Sequence, residues 1–239
     1  MKKNLFILPL LLAIHLHAVE IFETTYSFKN ISINYLDWTN KTQNSTAQED
    51  FAYLELEGGA GFSWGDVYMF LDIENPTKSY SDEPADNLRV VFKPVLNITL
   101  VDELSLYVQV FNLQSKDFYV TNPVFGLAYK IKANSNFWIR PFVALNYEES
   151  TYYSGLNGYM AGWVFMYKFA LNKQKFSLSQ WNQHTFSRDD GNIGTQGALA
   201  FWWHPMSEIT TGIQYRYAAY ELGNNEYQDG LIYSLKYNF

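Results

Sequence analysis

Side chains that alternate between apolar and polar at every second position are the feature that most constrains this chain. From Phe28 to the C-terminus the sequence divides into about twelve segments of about ten residues, separated by clusters rich in Asn, Asp, Gly and Ser. Such segments in series are typical of a transmembrane β-barrel, in which an even number of strands brings both termini to one side. We therefore predict an all-β fold, a closed antiparallel transmembrane barrel of about 12 strands with both termini in the periplasm.

The predicted strands and their connections follow directly from this pattern. The strands are residues 28–38, 51–62, 65–75, 88–100, 104–114, 123–132, 137–148, 158–171, 175–186, 196–203, 208–221 and 228–239. The long or polar connections are residues 39–50, 76–87, 115–122, 149–157, 187–195 and 222–227, and short turns alternate with them. Long external loops that alternate with short periplasmic turns are typical of outer-membrane barrels.

The N-terminus has the pattern of a secretory signal peptide. Lys2 and Lys3 precede an apolar stretch from Leu5 to Leu16, and Ala18 ends a possible cleavage site. The apolar stretch is shorter than the roughly 20 residues that a spanning helix needs. We expect residues 1–18 to be a signal peptide, residues 19–239 to form the barrel, and the mature chain to have no transmembrane helix. The predicted location is the outer membrane of a Gram-negative bacterium.

Composition excludes several function classes. The chain has no cysteine, which excludes disulfides, thiolate metal sites and cysteine nucleophiles. Its net charge of -7 argues against binding of nucleic acid polymers, which need a basic surface. Aromatic residues make up 18% of the chain, yet mean hydropathy is only -0.21. The apolar groups are therefore distributed among polar ones, as alternating strands require.

Alternation also assigns each residue to a face of the barrel. Between Asp66 and Glu74 the odd-numbered positions are apolar and are expected to face lipid, because a charge at the bilayer midplane costs about 2 to 4 kcal/mol. By the same rule, polar and aromatic rows face the lumen. The candidate substrate-binding residues in the lumen are Tyr53, Glu55, Glu57, Asp66, Tyr68, Phe70, Asp72, Tyr107, Phe111, Arg140, Arg216 and Lys236.

These residue types suit a passage for small polar solutes. Aromatic faces can stack on nucleobases at roughly 1 to 3 kcal/mol each, although the same rings could simply fill the lumen. An acidic wall on the second and third strands is expected to face a basic wall on later strands, and the resulting field favours dipolar solutes. Glu55 and Asp72 are expected on facing strands, as a salt-bridged wall or, alternatively, as a general acid and base.

An enzyme is the alternative class that the sequence raises. Some twelve-stranded outer-membrane phospholipases use a His-x-Ser pair on one face of a strand, and the nearest candidate here is His184 with Ser187. Residues three apart on a strand point to opposite faces, so this pair needs a bulge to meet. No Gly-x-Ser-x-Gly motif and no zinc-type histidine pair occurs. We expect the protein not to be an enzyme.

One hairpin carries a family resemblance. The run from Tyr53 to Pro76 has the pattern Tyr-x-Glu-x-Glu, Gly-Gly, then Asp-x-Tyr-x-Phe-x-Asp, and Asp37-Trp38 and the C-terminal Phe239 accompany it. This pattern resembles the Tsx-like nucleoside-specific channel-forming family, which includes OmpK-type vibriophage receptors. The resemblance implies a monomeric twelve-stranded barrel whose narrow lumen passes nucleosides, and surface loops that phages or colicins use.

The expected function is an outer-membrane channel for passive diffusion of nucleosides or similar small polar solutes. We expect no cofactor and no metal ion. Lipid, lipopolysaccharide and the barrel assembly machinery are further expected partners, the last because the closing strand has an apolar row that ends in phenylalanine. The alternative is a non-conducting structural barrel or a surface receptor for a phage or bacteriocin.

Overall fold

The computed structural model describes residues 23–46, 48–80 and 87–239. The predicted signal peptide, residues 1–18, lies outside these ranges. One short helix, α1, spans Asn40–Ser45. The strands are β1 Tyr26–Trp38, β2 Phe51–Phe62, β3 Gly65–Glu74, β4 Arg89–Val101, β5 Leu104–Gln114, β6 Tyr119–Tyr129, β7 Ile131–Lys132, β8 Phe137–Ser150, β9 Ser154–Leu171, β10 Gln174–Phe186, β11 Gly194–His204, β12 Ile209–Glu221 and β13 Asn224–Asn238.

The strands form one closed antiparallel barrel. Each strand pairs with its neighbours in sequence, and the last strand returns to the first, with Asn30 opposite Asn238 and Trp38 opposite Gly230. The two-residue β7 continues the line of β6, and both pair with β8, so twelve strands cross. The predicted closed antiparallel barrel of about 12 strands is confirmed. No helix within the described ranges is long and apolar enough to cross a membrane.

Proline explains why β6 and β7 are separate. The β6–β8 ladder ends with Ala128 opposite Phe142 and resumes in β7 with Ile131 opposite Ile139, so Pro141 lies at the break. Because proline has no amide hydrogen, it cannot donate to the ladder. Pairing of β4 with β5 is interrupted in the same way beside Pro94, without a change of register.

The predicted faces are confirmed where alternation is strict. On β3, Met69 is 47% exposed on the outer wall, while Tyr68 and Phe70 lie opposite Gly59 and Glu57 on the inner wall. On β13 the outward Leu235 is 54% exposed and the inward Lys236 only 9%. The exposed apolar rows form the surface that contacts lipid.

Several connections are shorter than predicted. We call the end where β1 begins and β13 stops the terminal end, and the opposite end the loop end. At the loop end, residues 115–118 and 151–153 are brief, and β12 and β13 are joined by only Leu222 and Gly223. Both residues of this turn have positive φ, 57° and 76°, a conformation that matches strand twist and favours glycine. The difference in length between the connections at the two ends is therefore smaller than the sequence suggested.

Candidate functional site

Strand register places all twelve candidate residues on the lumen wall. Glu57 lies opposite Phe70, and Glu55 lies opposite Asp72, so inward positions of neighbouring strands coincide around the barrel. By the same pairing, the inward row of β12 includes Arg216 and that of β13 includes Lys236. Sharing a wall does not mean sharing a site, because the lumen is divided into packed and unpacked regions.

Two apolar clusters fill part of the lumen. In the first, Tyr107 and Phe142 stack with ring centroids 4.4 Å apart and are only 5% and 6% exposed. In the second, Tyr53 is buried with Leu36, Trp38, Phe51 and Ile232. Tyr53 and Tyr107 are therefore part of the packed wall, as the alternative interpretation of lumen aromatics allowed.

Most lumen carboxylates are neutralised by neighbouring cations. Lys236 on β13 donates to Glu57 Oε2 at 2.7 Å and to Glu55 Oε1 at 3.4 Å, and β1 lies between the two strands. Arg89 donates to Glu74 at 2.7 Å from the next strand. The predicted separation into an acidic and a basic wall is thus only partly correct, since these opposite charges meet along the wall.

Glu55 and Asp72 are direct cross-strand partners, as predicted, but their surroundings differ. Glu55 has Lys236 and accepts a hydrogen bond from Ser32. Asp72 has no ion pair within the described ranges, and its Oδ1 is buried without a hydrogen-bond partner. The interpretation as a salt-bridged wall therefore applies to Glu55 and not to Asp72.

One ion pair crosses the lumen near the terminal end. Arg140 on β8 donates both guanidinium Nη atoms to the carboxylate of Asp66 on β3, with Nη1 2.9 Å from Oδ1. Asn97 donates to the same Oδ1 at 2.9 Å. β3 and β8 are separated by three intervening strands, so the pair closes off one side of the passage. A cavity of about 280 Å³ lies beside it and is lined by Asp66, Lys130 and Arg140.

Sequence reasoning missed an aromatic residue of the lumen wall. Trp181 on β10 lies 5.1 Å from Lys93 Nζ and 4.6 Å from Arg216 Cζ, measured to its ring centroid. β10 carries polar residues on both faces, so alternation could not tell which row points inward. Only the pairing of Trp181 with Ala198 and Val164 assigns its face.

The lumen is not filled on this side. Val164 lies opposite Arg140 on one neighbouring strand and Trp181 on the other, which makes it inward-facing, yet it is 39% exposed. A solvent-accessible space therefore remains at mid-barrel, bordered by an indole ring and cations.

Comparison with known proteins agrees with this architecture. A family model described as nucleoside-specific channel-forming protein, Tsx, matches residues 33–239. The chain belongs to this family. The matched range includes β2 to β13 entirely, and therefore both the cross-lumen ion pair and the surroundings of Trp181.

Solved porins share the fold of this Tsx family member. The NanC porin has 11% identity and a TM-score of 0.52, with 87% of this chain and 100% of the other covered. The KdgM porin, solved in complex with disordered oligogalacturonate, has 8% identity and a TM-score of 0.50, with 87% and 99% covered. Family and fold together identify an outer-membrane channel for small solutes.

His184, the candidate base of the enzyme alternative, lies on the outer wall of this Tsx-family barrel. Its Nε2 is 2.7 Å from Asn182 Nδ2 and its Nδ1 is 2.9 Å from Thr195 Oγ1. Tyr217 donates to Asn182 Oδ1 at 2.8 Å. These bonds satisfy the polar groups among themselves, which permits them on a lipid-facing wall. The structure therefore pairs His184 with Asn182 and Thr195 and not with Ser187.

No cluster of three or more metal-ligating side chains occurs among residues 23–46, 48–80 and 87–239.

Proposed function

We propose that this protein is a passive outer-membrane channel for nucleosides and similar small polar solutes, with both termini in the periplasm and no enzymatic activity. The observation that carries the proposal is the half-exposed Val164 on the lumen wall, beside Trp181 and Arg140. An unfilled space lined by an aromatic ring and charged groups is what a nucleoside requires, because its base stacks and its ribose forms hydrogen bonds.

The width of the lumen favours selective passage of small molecules. A twelve-stranded barrel is only modestly wider than eight-stranded barrels whose interiors are filled by side chains. Here the clusters around Tyr107 and Tyr53 occupy part of that interior. A solute must therefore pass close to the remaining wall. On this wall the ring centroids of Tyr68 and Phe70 lie 6.4 Å apart, and the Tyr68 hydroxyl donates a hydrogen bond to Glu57. We infer that these two rings and Trp181 contact the base.

A non-conducting barrel is the second candidate, and the ion pair between Asp66 and Arg140 favours it. Two charged side chains joined across the lumen obstruct the route to the terminal end. A surface receptor for a phage or bacteriocin remains within this alternative. Lipopolysaccharide and the barrel assembly machinery are proposed partners in either case. The barrel assembly machinery is supported by the outward apolar row of β13, which includes Leu235 and Tyr237 and ends near Phe239.

Conductance and nucleoside block in planar bilayers test the proposal. Phe70→Ala removes a lumen ring, so uridine block should weaken about 10- to 100-fold if a stack worth roughly 1 to 3 kcal/mol is lost. Salt conductance should stay level or rise slightly, because small ions sense mainly width and field.

The matched control is Phe125→Ala, which removes the same ring from the outer wall, where Phe125 is 45% exposed. This control should leave uridine block unchanged. Absence of any conductance in the wild-type protein would establish the non-conducting alternative. Equal uridine block by wild type and Phe70→Ala would mean that this ring only fills space.

A further inference from the structure

Two lumen cations converge on one aromatic ring and have no anionic partner among the residues that the structure describes. Lys93 reaches Trp181 from β4, and Arg216 reaches it from β12. Three other lumen cations, Arg89, Arg140 and Lys236, each bind a carboxylate. Lys93 and Arg216 have no carboxylate oxygen within 4.0 Å among the described residues.

Arg216 also has an unused donor. Its Nη2 donates to Gln196 Oε1 at 2.9 Å, while its Nη1 is buried without a hydrogen-bond partner in the described part of the chain. The acidic side chains whose charge acts on Arg216 include Glu74 and Glu221, and both are engaged elsewhere. Glu74 is bound by Arg89. Glu221 is bound by Thr185 and Arg188.

Partial removal of two cations from water costs free energy, and a bound anion would offset that cost. Attraction of a cation to an aromatic face offsets part of the cost of removing it from water, but it does not neutralise the charge. Two cations near the same ring also repel each other, which an anion between them would reverse. Guanidinium and ammonium groups are the usual protein ligands of phosphate and carboxylate groups.

We propose that Lys93 and Arg216 form a subsite for the anionic group of a passing solute, a phosphate or a carboxylate, while the ring of Trp181 lies beside the solute's planar part. This inference rests on the proposed channel function and deepens it. It assigns to the channel a preference for small organic anions over the corresponding neutral solutes at this level of the lumen.

Paired ligands that differ by the anionic group test the subsite in the full-length protein in planar bilayers. Uridine monophosphate is compared with uridine, and orotate with uracil. Wild type should be blocked at about tenfold lower concentration by the charged member of at least one pair, because charge-assisted hydrogen bonds are stronger than neutral ones. A response limited to the first pair defines a phosphate site, and one limited to the second defines a carboxylate site.

Lys93→Gln and Arg216→Gln should each remove most of this tenfold advantage and change block by uridine or uracil less than twofold. The control Lys168→Gln removes an equal charge from an exposed position on the inward row of β9 and should keep the advantage. The inference is overturned if wild type shows no preference for either charged ligand, or if both Gln variants retain it. Uridine block without that preference leaves the channel function standing. Absence of conductance removes both.

Discussion

Arg140 binds Asp66 across the lumen, although the two residues are 74 positions apart in the chain. Asp66 follows the β2–β3 turn at the terminal end, and Arg140 lies near the start of β8, so the pair lies near the terminal mouth of the passage. A bidentate guanidinium–carboxylate pair has a defined geometry and resists opening. This contact therefore limits both the width and the charge of the terminal mouth.

Removing one partner of this pair should change ion selectivity. Asp66→Asn leaves the cation of Arg140 unpaired and should shift permeability toward anions, whereas Arg140→Gln should shift it toward cations. The double variant should restore the wild-type ratio and conduct more than wild type, because the bridge is gone without a net change of charge. Reversal potentials in a salt gradient and single-channel conductance measure these effects. Unchanged conductance of the double variant would show that the pair does not narrow the passage.

Thiol labelling should distinguish the two faces of β9. Val164→Cys places a thiol in the unfilled part of the lumen and should react with a charged, water-soluble reagent. Phe165→Cys, one position further along, places it on the lipid-facing wall and should resist labelling, because successive side chains of a strand point to opposite faces. Mass spectrometry of protein in vesicles quantifies both. Faster reaction at residue 165 would contradict the register of β9.

The cation shared by Glu55 and Glu57 should be important for stability. Lys236→Met leaves two carboxylates without their cation on a largely buried wall, which is expected to cost about 3 to 5 kcal/mol. The free energy of unfolding in urea, followed by tryptophan fluorescence in vesicles, measures the loss. Lys175→Met removes an exposed lysine as a control and should have little effect. Adding Glu55→Gln and Glu57→Gln to Lys236→Met should recover most of the stability.

The outer-wall histidine should matter for stability and not for chemistry. His184→Ala leaves polar groups of Asn182 and Thr195 without a partner, at a cost of about 1 to 3 kcal/mol in unfolding free energy. Purified protein should release no fatty acid from phospholipid vesicles, with or without this substitution. Release by wild type that Ser187→Ala abolishes would support the phospholipase alternative.

Strict alternation made the local structure of several strands predictable. In β3 the apolar residues Val67, Met69 and Leu71 occupy every second position. The opposite register is excluded because it would turn the charged residues of this strand toward lipid. Turn length placed Glu55 opposite Asp72, because a two-residue turn defines the pairing of the two strands that it joins. These are interactions between neighbours in sequence, and the amino-acid pattern is sufficient to determine them.

Tertiary structure alone decided which distant residues meet in the lumen. Closure of the barrel brings Arg140 to Asp66 and brings Lys93 and Arg216 to Trp181, across strands that are not neighbours. Alternation specifies the face of a residue but not its height or the partner opposite it, since those depend on the accumulated register of all twelve strands. Alternation also failed to assign the faces of β10. Polar residues on its outer wall form hydrogen bonds with one another, so both faces of the strand are polar and the sequence shows no contrast between them.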